Sequence, residues 1–282
     1  MNLTFTKMQG IGNDFVVVDC LTSGGPNEAG LQTHAVRLCD RRFGIGGDGV
    51  LLVLPSRVAN FKMRMFNPDG SEAEMCGNGI RCFAKYVYDR GYTKNTQISV
   101  ETLGGTKTLR LTPKNGKVET VKVDMGCPSL ERGDLPMRGE PGRVVSEPLK
   151  ADGRKWEITG VSVGNPHAVL FTDAAESFPI ERVGQAIETH PAFPRRINVH
   201  AVQVLSNDEI RMVTWERGAG RTHGCGTGAC ASVVASAVNN RTGRRVLAHL
   251  PGGDLLIEWN GDNRIQMTGP AVEVFTGQIG LH

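Results

Sequence analysis

The motif Cys76-Gly77-Asn78-Gly79 occurs a second time in the chain as Cys225-Gly226-Thr227-Gly228. Each copy follows a strand-like segment and a turn-rich loop, and each precedes a segment with the spacing of a helix. One such match can arise by chance, so the value of the motif depends on whether other landmarks repeat with it.

Three further landmarks repeat in the same order. Gly12–Phe15 is matched by Gly164–His167, Phe66 by Trp215, and Leu103–Gly105 by Pro251–Gly253. All of these pairs are about 150 residues apart, and no shorter solenoid-like period is present. Ordered matches at a nearly constant spacing indicate an internal duplication, so we expect two pseudosymmetric lobes.

Each half is predicted to be a mixed α/β (α+β) unit in which several strands surround one central helix. Helical spacing follows both cysteines, from Ile80 to about Asp89 with a stop at Gly91, and from Ala229 to Asn239. A third helix is predicted at Ile180–Glu188. Apolar runs predict strands at 14–19, 50–54, 60–66, 97–103, 106–111 and 118–125, and at 161–163, 167–171, 197–205, 209–215, 255–259 and 264–267. The aperiodic stretch 127–150 predicts a linker, which gives an N-terminal lobe of residues 1–128 and a C-terminal lobe of residues 129–270.

Composition excludes several classes of partner. The 282-residue chain carries a net charge of only +3, and no Lys/Arg run forms a polybasic patch, so we expect no nucleic-acid partner. No apolar stretch approaches the ~20 residues of a membrane span, and the first ten residues do not resemble a secretory signal. Seven cysteines, an odd number, favour reduced thiols in the cytoplasm over a disulfide framework.

Cys76 and Cys225 are the strongest candidates for catalysis. The repeated context places both thiols at or just before a helix N-terminus, where free N–H groups and the helix dipole favour an anion. We therefore expect the pKa of both thiols to lie below the usual ~8.5. A duplicated chain commonly packs with approximate two-fold symmetry, so we expect equivalent points on the two lobes to face each other across the cleft. Two facing thiols can remove a proton from one side of a stereocentre and return one from the other, which is the requirement for epimerisation.

Two other interpretations of the cysteines remain. A free cysteine is often a small buried apolar side chain, and we assign that role to the other five, Cys20, Cys39, Cys82, Cys127 and Cys230. A zinc site is the second alternative, but the Cys76–Cys82 and Cys225–Cys230 spacings are not those of the paired cysteines in structural zinc sites. We expect no metal.

Polar residues beside the landmarks are candidates for substrate contacts. His167 or Glu216 could orient a thiol or set its pKa. Arg217 offers a fork for a carboxylate, and four asparagines offer donors and acceptors: Asn13, Asn67, Asn165 and Asn198. The N–H groups after each cysteine could stabilise charge on a reacting carboxylate. The glycine-rich segment 44–49 does not fit a dinucleotide motif, because it leads into a strand, so we expect no cofactor.

These motifs resemble the diaminopimelate epimerase family over nearly the whole chain. The matching segments are 10–19, 66–84, 164–169, 196–200, 215–231, 250–259 and 267–275. The resemblance implies two lobes, each a strand barrel around a central helix, with a last strand at about 271–282 returning to the first lobe. It also implies interconversion of LL- and meso-2,6-diaminopimelate for lysine and peptidoglycan synthesis, by an isomerase without cofactor or metal. A homodimer is common in the family.

The resemblance also implies roles for individual residues. Cys76 and Cys225 become the acid–base pair, with His167 and Glu216 beside the reacting centre. The implied substrate contacts are Asn13, Asn67, Gly77, Asn78, Asn165, Asn198, Arg217, Gly226 and Thr227. The resemblance does not decide which of the two thiols is ionised in the resting enzyme.

The chain departs from the family pattern at three places. Gly49 stands where glutamine is frequent, His223-Gly224 replaces a commoner apolar–Ala pair, and Ala168 replaces a frequent Cys. Proline racemase is the rival with two cysteines, but it usually has His where this chain has Asn78. A redox-switch or amino-acid-binding protein is the rival from another class, and it would leave the α-proton of its ligand in place.

Overall fold

The computed structural model describes residues 2–22 and 28–281. Contacts divide the chain into two compact units. Unit 1 comprises Met1–Val123 and Thr268–His282, and unit 2 comprises Asp124–Met267. Unit 1 is therefore discontinuous in sequence.

Unit 1 contains nine strands and two helices among its described residues. The strands are β1 (Asn2–Gly10), β2 (Asn13–Asp19), β3 (Gly49–Leu54), β4 (Phe61–Phe66), β5 (Glu72–Ala73), β6 (Gln97–Thr102), β7 (Gly105–Lys114), β8 (Lys117–Gly126) and the last strand of the chain, β18 (Val272–Gly280). The helices are α1 (Glu28–Cys39) and α2 (Gly77–Asp89).

Unit 2 contains the other nine strands and two helices of the described chain. The strands are β9 (Glu147–Ala151), β10 (Arg154–Ser162), β11 (Pro166–Phe171), β12 (Asn198–Val204), β13 (Glu209–Glu216), β14 (Gly220–Thr222), β15 (Arg245–Leu250), β16 (Gly253–Trp259) and β17 (Ile265–Pro270). The helices are α3 (Ile180–Glu188) and α4 (Gly226–Val238), and a short 3₁₀ turn covers Arg132–Asp134. β8 and β17 each run across a unit limit.

The two units repeat one pattern of strand pairing. In unit 1, β1 pairs antiparallel with β2, β2 parallel with β3, β3 antiparallel with β4, and β4 parallel with β6. In unit 2, the same sequence of antiparallel, parallel, antiparallel and parallel pairs runs through β10, β11, β12, β13 and β15. Each first parallel pair is joined through a helix, α1 or α3, as a parallel crossover requires.

The central helix of each unit is the one that follows the cysteine. α2 contacts β1, β2, β3, β4, β7 and β18, and α4 contacts β10, β11, β12, β13, β15 and β16. Ile80, Phe83, Ala84 and Val87 of α2 are fully buried at helical spacing. α2 ends where Gly91 adopts a φ of +80°, and its N–H bonds to the Tyr88 carbonyl. Strand-rich mixed α/β architecture around two central helices agrees with the sequence prediction.

Several local predictions need correction. Both central helices begin three residues earlier than expected, at Gly77 and Gly226. The prediction placed the glycines of each motif in a turn, because glycine is common in turns and weakens helices. Strand β10 begins at Arg154 and ends before Val163, whereas a strand was expected only at 161–163.

The stretch 127–150 is not a free linker. Leu135, Met137, Val144 and Leu149 are buried in the core cluster of unit 2 together with strands and α3. A Cβ at Gly160 would lie 2.3 Å from Leu135 Cδ1, so this stretch packs directly on β10. Its Pro and Gly residues form a packed loop. Hydrophobic periodicity does not predict the packing of a loop.

Candidate active site

Cys76 is the N-cap of α2. Its backbone is extended (φ −134°, ψ 118°), and its Sγ accepts a hydrogen bond from the Gly79 N–H at 3.4 Å. The first N–H groups of a helix have no partner within the helix, so the sulfur satisfies one of them. The predicted position of this thiol at a helix N-terminus is confirmed.

Asn13 presents its amide oxygen to the Cys76 sulfur. Asn13 Nδ2 donates to Asp48 Oδ2 at 2.5 Å, which directs Oδ1 the other way. Oδ1 then accepts from Cys76 Sγ at 3.8 Å and from Asn78 Nδ2 at 3.3 Å. Asp48 was not predicted from the sequence, yet it fixes which end of the amide faces the thiol.

The start of α2 is held by a buried guanidinium. Arg81 is fully buried, and its Nη1 and Nη2 donate to the Gly77 carbonyl and to Asn78 Oδ1, both at 2.9 Å. Its Nε donates to the Pro270 carbonyl at 3.2 Å. Because Asn78 Oδ1 is used in this way, the Asn78 amide group points its Nδ2 toward Asn13.

Asn67 lies in the turn after β4. Its Nδ2 donates to Ser71 Oγ at 3.0 Å, and its N–H donates to the Ser71 carbonyl at 2.8 Å. The side chain is half-buried. These contacts anchor Asn67 within its own turn and do not join it to Cys76.

The glycine-rich segment 44–49 forms a loop whose N–H groups bond to the protein's own carbonyls. Gly46 and Gly47 donate to Leu38 and Cys39, and Asp48 donates to Asp14. Its role in this structure is to bring Asp48 to Asn13. A Cβ at Gly49 would lie 2.9 Å from Met65 Cε and 3.0 Å from the Phe66 carbonyl, which explains physically why this chain has glycine there.

Cys225 occupies the equivalent N-cap position of α4, also with an extended backbone (φ −109°, ψ 103°). It is buried, and its Sγ lies 3.7 Å from Thr227 Oγ1. Burial raises the pKa of the Cys225 thiol well above its usual value, and the charge and hydrogen bond of Glu216 raise it further. Thr227 and the Gly228 N–H oppose this rise. The prediction of a lowered pKa is therefore wrong for Cys225, because desolvation outweighs the helix terminus.

Glu216 is the last residue of β13, and Arg217 lies in the turn that follows it. Glu216 Oε1 accepts from Thr222 Oγ1 at 2.6 Å. Arg217 is exposed, its N–H donates to Asn198 Oδ1 at 3.0 Å, and its Nη1 donates to the Arg195 carbonyl at 3.2 Å. Asn198 Nδ2 in turn donates to the Pro166 carbonyl at 2.8 Å. Asn198 thus ties the Arg217 turn to β11.

His167 is fully buried, and both of its ring nitrogens are engaged. Nε2 lies 2.8 Å from Asn165 Oδ1, and Nδ1 lies 2.8 Å from His200 Nε2. Burial lowers the pKa of His167 well below its usual value, assisted by His200 and Arg217. Asn165 Nδ2 donates to Thr227 Oγ1 at 3.3 Å, so His167 is connected to the Cys225 sulfur through two other side chains.

The predicted site residues therefore fall into two groups. In unit 1, the structure brings Asn13, Cys76, Gly77 and Asn78 together. In unit 2, it brings together Asn165, His167, Glu216, Cys225, Gly226 and Thr227, with Asn198 holding the turn of Arg217. Sequence reasoning missed Asp48, Arg81 and His200, since none of them lies in a repeated landmark.

The other cysteines differ in exposure. All seven cysteines lie among the described residues, and none of them forms a disulfide. Cys39, Cys82 and Cys230 are buried as predicted, but Cys20 is only half-buried and Cys127 is exposed. Within residues 2–22 and 28–281, no group of three or more His, Cys, Asp or Glu side chains could hold a metal ion. In the same residues, no helix has the length and apolar character needed to cross a membrane.

Known proteins resemble this chain along nearly its full length. The family profile described as diaminopimelate epimerase matches residues 5–131 and 159–274. The diaminopimelate epimerase of Pelotomaculum thermopropionicum is 55% identical over 274 residues, which cover 97% of this chain and 98% of the relative. That of Moorella thermoacetica is 53% identical over 98% of this chain and 99% of the relative, and that of Methanococcus maripaludis is 49% identical over 99% and 100%.

Two solved structures share the fold at low sequence identity. The PhzF-family phenazine biosynthesis protein of Bacillus anthracis matches with a TM-score of 0.75 and 17% identity, covering 100% of both chains. A probable proline racemase from Agrobacterium radiobacter matches with a TM-score of 0.71 and 16% identity, covering 99% of this chain and 93% of the other. These likenesses establish the fold of two repeated domains, while the family profile and the close relatives establish more: the chain belongs to the diaminopimelate epimerase family.

Proposed function

We propose that Cys76 and Cys225 exchange the α-proton in the reaction that this chain catalyses, the interconversion of LL- and meso-2,6-diaminopimelate in lysine biosynthesis. The observation that carries the proposal is the equivalence of the two thiols. Each is the N-cap of the central helix in one of two repeated units. The duplication has thus produced two copies of one acid–base position.

The proposed step is a balanced proton exchange. The thiolate of one cysteine takes the α-proton, so a C–H bond breaks and an S–H bond forms. The thiol of the other cysteine gives its proton to the opposite face of the same carbon, which forms the new C–H bond and leaves a thiolate. No electrons are gained or lost, and the reverse reaction uses the thiols in exchanged roles, so we propose that no cofactor takes part.

Helix N-termini stabilise the charge that builds up as the α-proton leaves. That charge spreads into the adjacent carboxylate, where preorganised N–H donors are most effective. The N–H groups beyond Cys76 and Cys225, in Gly77–Asn78 and Gly226–Thr227, are candidates for this role. Their fixed orientation at the start of α2 and α4 costs no reorganisation during the reaction.

The remaining contacts follow the chemistry of a substrate with two amino-acid ends. Arg217 is exposed and carries a fork suited to the distal carboxylate. Asn13, Asn67, Asn165 and Asn198 are proposed to bind ammonium or carboxylate groups. His167 and Glu216 are proposed to act beside the reacting centre, Glu216 through its contact with Cys225.

The test is proton NMR of LL-diaminopimelate in D₂O. The protein is expected to remove the α-proton signal and to produce the meso isomer. Cys76→Ala and Cys225→Ala are each expected to lower turnover by about 10²–10⁴-fold, the usual contribution of a general acid or base. Cys127→Ala is the matched control, since Cys127 is exposed and remote in sequence from both motifs.

Each outcome has a defined meaning. Near-normal turnover in either Cys76→Ala or Cys225→Ala would remove that cysteine from the mechanism. Binding of LL-diaminopimelate without loss of the α-proton would favour an amino-acid-binding protein. If the wild-type protein ignores LL-diaminopimelate but exchanges the α-proton of proline, the racemase alternative is supported.

We further propose that the protein is a cytoplasmic homodimer. The supporting observation for the compartment is that none of the seven cysteines forms a disulfide, which is typical of reducing environments. For the dimer it is β18, which exposes three large apolar side chains, Val272, Val274 and Phe275, at 44%, 55% and 47%. Neighbouring exposed apolar groups of this kind mark protein–protein contacts.

A further inference from the structure

A line of buried hydrogen bonds in unit 2 leads to the Cys225 sulfur from a residue that the mechanism above does not use. Thr214 Oγ1 lies 3.0 Å from His200 Nδ1, and His200 Nε2 lies 2.8 Å from His167 Nδ1. The line continues from His167 through the remaining members described above: Asn165, Thr227 and Cys225. Thr214, His200 and His167 are at most 2% exposed, so water does not compete for these bonds.

The direction of each bond follows from the Asn165 amide. Its Nδ2 can only donate, and it donates to Thr227 Oγ1 at 3.3 Å. Its Oδ1 can only accept, so the proton between Asn165 and His167 belongs to His167 Nε2. A neutral imidazole has one N–H, and therefore Nδ1 of His167 is an acceptor.

His200 supplies the donor that His167 Nδ1 needs. Burial lowers the pKa of His200 to about 3, and the pKa of His167 is also lowered, so both rings are neutral near pH 7. His200 therefore carries its proton on Nε2 and donates to His167. His200 Nδ1 is left as an acceptor, and the Thr214 hydroxyl donates to it at 3.0 Å.

The other end of the line presents a donor to sulfur. Thr227 Oγ1 accepts from Asn165 and has one proton of its own. When Cys225 is a thiolate, its sulfur can only accept, so Thr227 is the donor across the 3.7 Å between Oγ1 and Sγ. A donor aimed at a thiol sulfur favours the thiolate. All of the bonds therefore point the same way, from Thr214 toward Cys225.

Packing holds His200 in place beneath α4. A Cβ at Gly228, in the first turn of α4, would lie 2.3 Å from His200 Cε1 and 2.8 Å from its Nε2. The helix that carries Cys225 at its N-cap thus touches the imidazole ring directly, and only glycine fits between them.

We propose that His200 is a positioning residue: its Nε2–H excludes the Nδ1-protonated tautomer of His167 and so fixes the direction of the hydrogen bonds that end at the Cys225 sulfur. This inference rests on the proposed acid–base role of Cys225. Without the His200 donor, His167 can place its proton on Nδ1, the Asn165 amide can turn over, and Thr227 can donate to Asn165 instead of to sulfur.

Three other groups act on this line besides His200. Glu216 faces Cys225 from the end of β13, and the Gly228 N–H faces it from α4. Arg217 acts on His167 through its charge. Glu216 opposes the thiolate, and the two donors, Thr227 and Gly228, favour it, so loss of Thr227 as a donor shifts the balance toward the thiol.

The experiment measures Cys225 alkylation by iodoacetamide as a function of pH, resolved from the other cysteines by peptide mass spectrometry. Only the thiolate reacts. His200→Leu is expected to slow Cys225 alkylation about tenfold at neutral pH and to move its midpoint to higher pH, the loss expected for one hydrogen bond to a charged group. His200→Gln, which keeps an N–H donor, is expected to restore most of the rate. Cys127 in the same sample is the internal reference.

Two further measurements distinguish a positioning role of His200 from a general loss of packing around it. Ring nitrogen NMR is expected to show His167 protonated on Nε2 in the wild type and partly on Nδ1 in His200→Leu. Thr214→Val, which preserves shape, is expected to act in the same direction and keeps the test available if His200→Leu does not fold. His249→Leu removes a half-buried histidine that bonds to Asp254 outside this line and serves as the matched control.

None of these measurements requires turnover, so failure of this proposal can be distinguished from failure of the proposed epimerase mechanism. Unchanged His167 tautomer and Cys225 alkylation in both His200→Leu and Thr214→Val would overturn the proposal. Equal losses in His200→Leu and His200→Gln would also overturn it, since a donor would then make no difference.

Discussion

At the scale of single residues, Asp14 shows how ion pairs hold the start of β2, next to Asn13. Lys7 Nζ lies 2.6 Å from Asp14 Oδ2, and Arg41 Nη2 lies 2.6 Å from Asp14 Oδ1. Burial raises the pKa of Asp14, but hydrogen bonds from Arg41 and Lys7 outweigh it and lower the pKa to about 2. The Lys7 side chain is only 9% exposed, so it depends on this carboxylate.

Asp14→Asn is expected to destabilise the protein at pH 7 by about 2–4 kcal/mol, because it leaves a buried ammonium without its charge partner. Urea unfolding at pH 7 measures the change. The control is Glu119→Gln, which breaks an exposed pair with Lys114 (side chains 53% and 67% exposed) and is expected to change stability by less than about 1 kcal/mol. Equal effects of the two substitutions would contradict a stabilising role for the Lys7–Asp14 ion pair.

The contribution of Asp14 to stability is expected to decrease at low pH. The folded-state pKa of Asp14 is lowered to about 2, below the usual ~3.9 of an unfolded chain. Its contribution to stability is therefore fully present above pH ~4 and is lost as the pH falls toward 2. The stability difference between wild type and Asp14→Asn should shrink over that range.

Individual residues were predictable where the sequence repeats. Both cysteines lie at the predicted helix N-termini because a strand, loop and glycine pair form a local signal. The raised pKa of Cys225 was not predictable, since burial and the approach of Glu216 are tertiary properties. His200 was missed for the same reason: it lies 15 residues before the nearest repeated landmark, Trp215, and only folding brings it to His167.

At the scale of secondary structure, α3 is held against β13 at a single glycine. A Cβ at Gly184 would lie 2.5 Å from Trp215 Cβ and 2.7 Å from Trp215 Cγ. Trp215 Nε1 donates to Glu188 Oε2 at 2.6 Å, and Glu188 Oε1 accepts from the Gly218 N–H at 3.0 Å. The close approach of α3 therefore positions the turn that carries Arg217.

Gly184→Ala is expected to cost about 1–3 kcal/mol, because the added methyl must push the helix away from Trp215. Gly30→Ala in α1 is the matched control: a Cβ there meets nothing within 4 Å, and alanine should stabilise a helix by about 0.5–1 kcal/mol. Thermal unfolding of both variants measures whether each substitution lowers or raises stability. A neutral Gly184→Ala would show that α3 does not need its close contact.

Several elements with a clear period were predicted to within a few residues, but periodicity did not find every strand, since β15 also alternates and was missed. β4 alternates and α3 has strict helical spacing, so both lie where they were expected. The prediction omitted α1 and the strands β1, β5, β9, β14 and β15. α1 contains Gly30, Thr33 and His34, which are weak helix formers, and it is stabilised by packing Leu31, Ala35 and Leu38 into the unit 1 core.

At the scale of the whole molecule, the exposed face of β18 predicts the oligomeric state. The protein is expected to sediment at twice the 30.4 kDa chain mass at micromolar concentration. Val274→Lys should shift it to the mass of one chain, because a charge would be buried in the contact. Val58→Lys is the control, since Val58 is 75% exposed elsewhere in unit 1. A wild-type protein that sediments as a single chain would refute the dimer.

The return of β18 also has a consequence for synthesis on the ribosome. β18 pairs with β1, so the two edges of this antiparallel ladder come from opposite ends of the chain. Unit 2 ends at Met267, so all of its residues are synthesised before β18. Unit 1, although its first strand is made at the start of translation, cannot complete its sheet until the last strand of the chain has been made and released.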